Sequence, residues 1–320
     1  MLRTYHFLPL LLLLACGNPI KNEDPGVSVE PGTDTAVSVP SPAPAPAPGT
    51  TTIEAPEADD PVGNWVGYFE KDGDDYGKDV HPDEGFYWNR ANKINLSIDA
   101  IRGDSVFGHS VVAGNDRPFV GTRKELYGKY RYQVSEPGDD RYDGTFDFTI
   151  EDGTLSGTWT AYKNIDIKHR VYDLEPRAFT YDPTVMLDED RRFIDWTKSQ
   201  KTTETYDEGD GEVYEWVSET FSSATNDIYQ INASNERLTR AQVENLKKGD
   251  LTIIRNTIYA RHGYSFKNRP LRVFFDAQSW YVPVHADIRA DFTELEKENI
   301  QLLLQFEENA AEYYDYFGRG

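Results

Sequence analysis

The sequence predicts an α+β chain, with an antiparallel β-meander or barrel followed by a small all-α domain. Three observations carry this. Between 61 and 181, short segments alternate apolar and polar residues and are parted by Gly103-Asp104 and Asp152-Gly153, the pattern of strands joined by tight turns. From 237 onward the apolar residues switch to helical spacing, with capping patterns at the boundaries. Ahead of both lies a Pro/Ala-rich stretch too poor in large apolar residues to build a core.

In the β region, alternation and turn residues predict strands over 92–101, 105–112, 127–134, 145–150, 155–161 and 169–174. Consecutive strands with tight turns make a meander. An open sheet of this length would expose two edges and one apolar face, which closure into a barrel removes. The segment 182–236 reads as a connection, with a helix over 187–198, a polar acidic loop over 200–211 and a strand over 213–221. In the helical domain, 237–320, Thr239 and Gln242 form a capping-box pair for a first helix that ends near Gly249. Asp250 is placed to cap a second helix, and Gly263 stands at its C′ position. A third helix is expected after Pro270. A fourth starts at Thr293 with Glu296 three residues on, and Leu295, Leu302, Leu303 and Phe306 keep its apolar spacing.

The N-terminus begins MLRTYHFLPLLLLLACGN. Arg3 followed by an apolar run over 7–15 is too short to span a bilayer, which takes about 20 residues, and fits a signal peptide at 1–15. Leu13-Leu14-Ala15-Cys16 resembles the bacterial lipobox. That resemblance implies acylation of Cys16, including palmitate, and a membrane anchor whose chains contribute about 0.8 kcal/mol per buried CH₂. Cys16 is the single cysteine of the chain, which leaves no intramolecular disulfide to form. Residues 16–60, with PSPAPAPAPG at 40–49, form a disordered, semi-extended tether. Gly17 and the acidic pair Glu23-Asp24 after Lys21 resemble the sorting signals of exported lipoproteins. The expected location is the outer membrane, on its periplasmic or exposed face.

The net charge is −22, yet the 12 Lys/Arg and 12 Asp/Glu from Arg237 to the C-terminus cancel, so the whole excess lies before Arg237. Such acidity argues against nucleic acid, whose binding rests on neutralised phosphates. Within the balanced half, the stretch 255–272 holds five basic residues (Arg255, Arg261, Lys267, Arg269, Arg272) and no acidic one. It is suited to a carboxylate or phosphate from an envelope polymer or an acidic protein partner. No cofactor or metal is expected. The histidines at 81, 109, 169, 262 and 285 lack metal-ligand spacing. No phosphate-cradling glycine loop occurs, and neither 72–75 nor Asp139-Asp140 has an EF-hand pattern.

Two further resemblances bear on fold and role. Gly63-Asn64-Trp65, repeated as Gly157-Thr158-Trp159, resembles the Gly-x-Trp opening of lipocalin-like barrels, in which one end is plugged and the other holds an apolar ligand. Tyr259-Ala260-Arg261-His262-Gly263, preceded by Ile254-Arg255-Asn256 and followed by Ser279-Trp280-Tyr281, resembles the signature of the YARHG domain. That domain is an extracytoplasmic module common in bacterial lipoproteins, with no established catalytic activity. The signature admits two readings. At 100° per residue, Leu251, Ile254, Ile258 and His262 share a stripe, which makes His262 a core histidine with Arg255 and Arg261 tying neighbouring segments. Alternatively, Arg255, Tyr259, Arg261, His262 and Gly263 form a binding surface. The functional expectation is a non-catalytic lipoprotein that binds or contacts the envelope. A hydrolase of cell-wall or glycan material and a carrier of a small apolar ligand in the barrel are the alternatives.

Overall fold

Alternation along a strand sends every second side chain to one face, and in a closed sheet that face is the interior. A computed structural model describes residues 52–57, 60–73, 80–81, 86–87, 90–207, 209, 212–289 and 291–312. The expected signal peptide, Cys16 and most of the expected tether lie outside the described residues, as do Asp74 and Asp75.

In chain order the strands are β1 (Thr52–Ile53), β2 (Gly63–Lys71), β3 (Val80–His81), β4 (Phe86–Tyr87), β5 (Asn92–Arg102), β6 (Ser105–Val112) and β7 (Asn115–Leu126). They continue with β8 (Lys129–Ser135), β9 (Gly144–Glu151), β10 (Thr154–Ala161), β11 (His169–Pro176), β12 (Phe179–Thr180), β13 (Ile194–Asp207) and β14 (Val213–Ser223). Strands β2 and β5 to β11 close into an eight-stranded antiparallel barrel in sequence order, β11 returning to β2. Of the two forms expected, meander or barrel, the chain takes the barrel. The interior of eight strands is just wide enough to be filled by side chains, and here it is. Ile94, Leu96 and Ile98 of β5, Leu155 of β10 and Leu174 of β11 are each 0 % exposed. Gly157 and Trp159 share the inward face two residues apart. A Cβ on Gly157 would lie 2.3 Å from the Asp147 carbonyl oxygen and 2.6 Å from Phe148 Cβ, so the glycine makes room for the aromatic filling.

The helical part contains α1 (Arg240–Val243), α2 (Lys248–Arg261), α3 (Arg269–Asp276) and α4 (Glu294–Asn309). Its core joins Leu251, Ile254 and Ile258 of α2, Phe275 of α3 and Leu303 of α4 with Leu187 and Phe193 from the preceding segment. Thr239 and Gln242 form the expected capping box, but the helix stops at Val243. Asp250 is not the N-cap of α2. It sits one turn inside, where its Oδ2 accepts the Lys247 N–H at 2.9 Å, and this restarts the helix earlier than expected. The box at Thr293 and Glu296 forms as read.

Two expectations for the connecting segment are overturned. No helix spans 187–198, and 200–211 is not a loop throughout: β13 begins at Ile194 and runs to Asp207, pairing with β14. The polar run Lys198 to Asp207 is exposed, so no buried face imposes alternation. Thr202, Thr203, Thr205 and Tyr206 supply β propensity instead. The strand expected over 213–221 is β14. Among the described residues, no helix is long and apolar enough to cross a membrane.

The helices seat directly on the barrel. The Lys93 N–H donates to Asp276 Oδ2 at 2.8 Å, its Nζ donates to the carbonyls of Gln278 and Tyr281, and Tyr68 donates to the Asp276 carbonyl. Burial pushes the Asp276 carboxyl up to about 7 and the Lys93 ammonium down to about 8. Nearby, the Gly114 N–H donates to Ser265 Oγ at 2.8 Å, and Val66 and Phe179 pack with Val282 and Val284. Leaving a buried N–H without its acceptor costs about 1–3 kcal/mol. Asp276→Ala should therefore lower the denaturant midpoint strongly. Asp276→Asn, which keeps an acceptor for the Lys93 N–H and leaves the Lys93 ammonium on its two carbonyls, should recover most of that loss in the same measurement.

Candidate functional site

The signature residues stand in the last turn of α2 and just beyond it. The chain leaves the helix through a Schellman turn: the Tyr264 N–H donates to the Tyr259 carbonyl, and the Gly263 N–H to the Ala260 carbonyl. Gly263 has φ +71°, and a Cβ there would lie 2.3 Å from Val284 Cγ2. Only glycine meets both conditions without strain. Arg261 is 3 % exposed and donates from Nε and Nη2 to the Val185 carbonyl and from Nη1 to Ser234 Oγ. His262, 6 % exposed, donates from Nε2 to Glu296 Oε2 at 2.9 Å and stacks on Tyr181 at 4.2 Å. Tyr181 donates to the other oxygen of Glu296. Arg255 grips Glu307 of α4 through two bonds of 2.8 and 3.1 Å, and the Tyr259 ring meets Phe292 edge-on. Arg255, Arg261 and His262 thus spend their side-chain polar groups on internal partners, and the Tyr259 ring and Gly263 pack against neighbouring side chains.

A cavity lies elsewhere, at one end of the barrel, with a volume of about 750 Å³. Its barrel wall comes from strand ends that share that mouth: Phe69 late in β2, Asn92 at the start of β5, Val112 at the end of β6, Phe146 early in β9, Trp159 late in β10 and Arg170 early in β11. The opposite wall is the run Lys267, Asn268, Arg269, Pro270 and Arg272, at the start of α3. The Schellman turn and the Ser265 contact with Gly114 deliver that run to the barrel rim. Trp65 sits at the other, filled end, where its Nε1–H donates to the Pro61 carbonyl.

Among the described residues the lining is rich in cations. Arg90, Arg117, Arg141 and Arg170 from the barrel and Lys267, Arg269 and Arg272 from the helical part line it, with two carboxylates, Glu136 and Asp166. Both carboxylates are engaged. Asp166 pairs with Arg90 at 2.8 Å. Glu136 accepts from Gly144 N–H, Ser110 Oγ and Trp159 Nε1, and burial pushes its carboxyl up despite those donors. Arg117 pairs with Asp140 and Asp143. Arg170 lies over the Phe69 ring, 4.9 Å from its centroid, and its Nη1 donates to the carbonyls of Phe69 and Arg90. Burial, then Arg272 and Arg90, pulls its guanidinium down to about 10.

The five basic residues read together in 255–272 therefore divide. Lys267, Arg269 and Arg272 face the cavity, whereas Arg255 and Arg261 point into the helical core. Sequence reasoning missed Arg170, Arg117, Arg141, Glu136 and Asp166. Cys16 lies outside the described residues. Among those described, no cluster of three His, Cys, Asp or Glu side chains fits a metal ion. A second groove of about 460 Å³ follows the seam beside Lys93 and Tyr68.

The signature has a testable electrostatic consequence. Burial opposes ionisation of Glu296, but His262 and the Thr293 N–H outweigh it and hold the carboxyl below its usual 4.5. A depressed folded pKa contributes stability above the unfolded value, and this is lost as pH falls through the folded value. Denaturant midpoints measured between pH about 6 and about 3 should fall less steeply for Glu296→Gln than for the unsubstituted protein. Separately, Gly263→Ala should lower stability by about 1–2 kcal/mol or more from the left-handed backbone alone.

No curated protein and no solved structure matches the chain. A family model does match its C-terminal part. The helical part that walls the cavity, over residues 226–308, is a YARHG domain.

Proposed function

We propose that this chain is an extracytoplasmic lipoprotein, acylated at Cys16 and held to the cell envelope, whose role is binding and not catalysis. The observation that carries the reading is the cation-rich cavity at the barrel mouth, with seven Lys/Arg among its lining residues in a chain of net charge −22. Fixed positive charge in a recess attracts anions and raises their local concentration. The partner is an anionic component of the envelope. The YARHG domain supplies one wall of the cavity and three of its cations. Within this reading Arg255, Tyr259, Arg261, His262 and Gly263 hold the domain together and do not touch the ligand.

The sequence before the barrel supports the location. A lipobox followed by a proline-rich tether is the arrangement that lifts a folded body off a bilayer, at about 3.1 Å per residue where polyproline geometry holds. Cys16→Ser should move the protein from the membrane fraction to the soluble extracytoplasmic fraction, and full membrane retention without acylation would contradict the anchor. Purified chain should be retained by at least one purified envelope fraction, with retention falling as ionic strength rises from ~0.05 to ~0.5 M. Retention by none of them would sink the binding role.

A further inference from the structure

The cavity is layered, and the layering identifies the kind of anion that fits. Its floor is apolar and aromatic: Phe69, Val112, Phe146 and Trp159 present the top of the barrel core. Above the floor stands Arg170, stacked on Phe69. Arg272 approaches it from the helical part closely enough to disfavour its charge, and the exposed Arg141 and Lys267 stand at the rim. Below the floor there is no room for a chain to run along the barrel axis. Ile94, Leu96, Ile98, Leu155 and Leu174 fill it and are all 0 % exposed. A ligand must therefore be compact. It rests an apolar face on the aromatic floor and keeps its charge at the level of the arginines.

Resting on the binding role proposed above, we infer that the cavity takes a compact organic anion, a carboxylate or phosphate carried on a flat apolar body, with Arg170 and Arg272 holding the anion from opposite walls. Among the described residues, both hydrogen bonds of Arg170 leave from Nη1, to backbone carbonyls. That geometry fixes the guanidinium plane, and among the described residues no carboxylate is bonded to it. A planar donor pre-set in this way matches the oxygens of a carboxylate or phosphate. The two walls belong to different parts of the fold, so an anion held between them adds a tie across the seam.

The test is calorimetric titration of the full chain, purified in a neutral detergent, with phenyl phosphate and phenylacetate. Phenol, inorganic phosphate and dodecanoate are the comparison probes. The expected result is that one or both aryl anions bind at least ~10-fold more tightly than phenol, inorganic phosphate and dodecanoate. Lys267→Glu with Arg141→Glu, both at exposed rim positions outside the packed core, should weaken that binding by ~10-fold or more. Arg170→Lys should weaken it too, because a point charge replaces the fork. Equal binding of inorganic phosphate would make this a plain anion site, equal binding of phenol an apolar one, and tighter binding of dodecanoate a channel through the barrel. Each of these overturns the inference. If no probe binds, the inference also falls, and retention on envelope fractions then separates it from the reading beneath. Retention lost in the Lys267→Glu/Arg141→Glu variant keeps the cavity as the binding site, and retention unchanged by it removes the cavity from the binding role.

Discussion

A cation taken out of water must be given oxygen atoms, and this chain gives three of its largely buried cations backbone carbonyls. Arg261 is held by the Val185 carbonyl, Lys93 by those of Gln278 and Tyr281, and Arg170 by those of Phe69 and Arg90. A carbonyl anchors a side chain geometrically but carries no formal charge to cancel it. Each bond also spans separate parts of the chain: α2 to the segment after the barrel, β5 to the segment after α3, β11 to β2 and its neighbour. The same device that fastens the fold therefore leaves positive charge inside an acidic protein. The cavity inherits that charge.

The YARHG signature and the cavity stand in a relation that the residue string alone hides. The signature ends a helix in a left-handed turn, and the turn decides where the next ten residues go. Val284 and His285 donate to the Gly263 carbonyl, and the run that follows Ser265 arrives at the barrel rim. The side chains named in the signature work inward, and the residues after it work outward.

What was legible followed from whether a feature was local. Barrel strands in which inward apolar residues alternate with polar ones, such as β5 and β9, announce themselves by that alternation, and the α4 capping box by a four-residue pattern. Strand β7 escaped notice because it opens Asn-Asp-Arg-Pro and, apart from Phe119, buries almost nothing. Pro118 within it argues against a strand on local grounds. The β13 half of the β13–β14 ribbon escaped because both its faces meet solvent over most of its length. The partner of His262 is Glu296, 34 positions on, close enough to guess as a capping residue but not as a histidine's acceptor. The cavity was illegible, since its walls are single residues from strand ends that only barrel closure brings together. Only its Lys267–Arg272 side could be seen, as a run without acids.

The family match begins at residue 226, but the folding unit does not. Leu187 and Phe193 lie in the same apolar cluster as α2 and α3, Ser265 is bonded to a barrel turn, and Asp276 is satisfied by a barrel strand. Cutting the chain at the edges of the match would strip a hydrophobic core of two side chains and leave a buried carboxylate facing water. In this protein the segment matched by the family model is shorter than the packed unit, which takes in the barrel and the helices together. Exchange of the module between proteins would require the host surface to change with it.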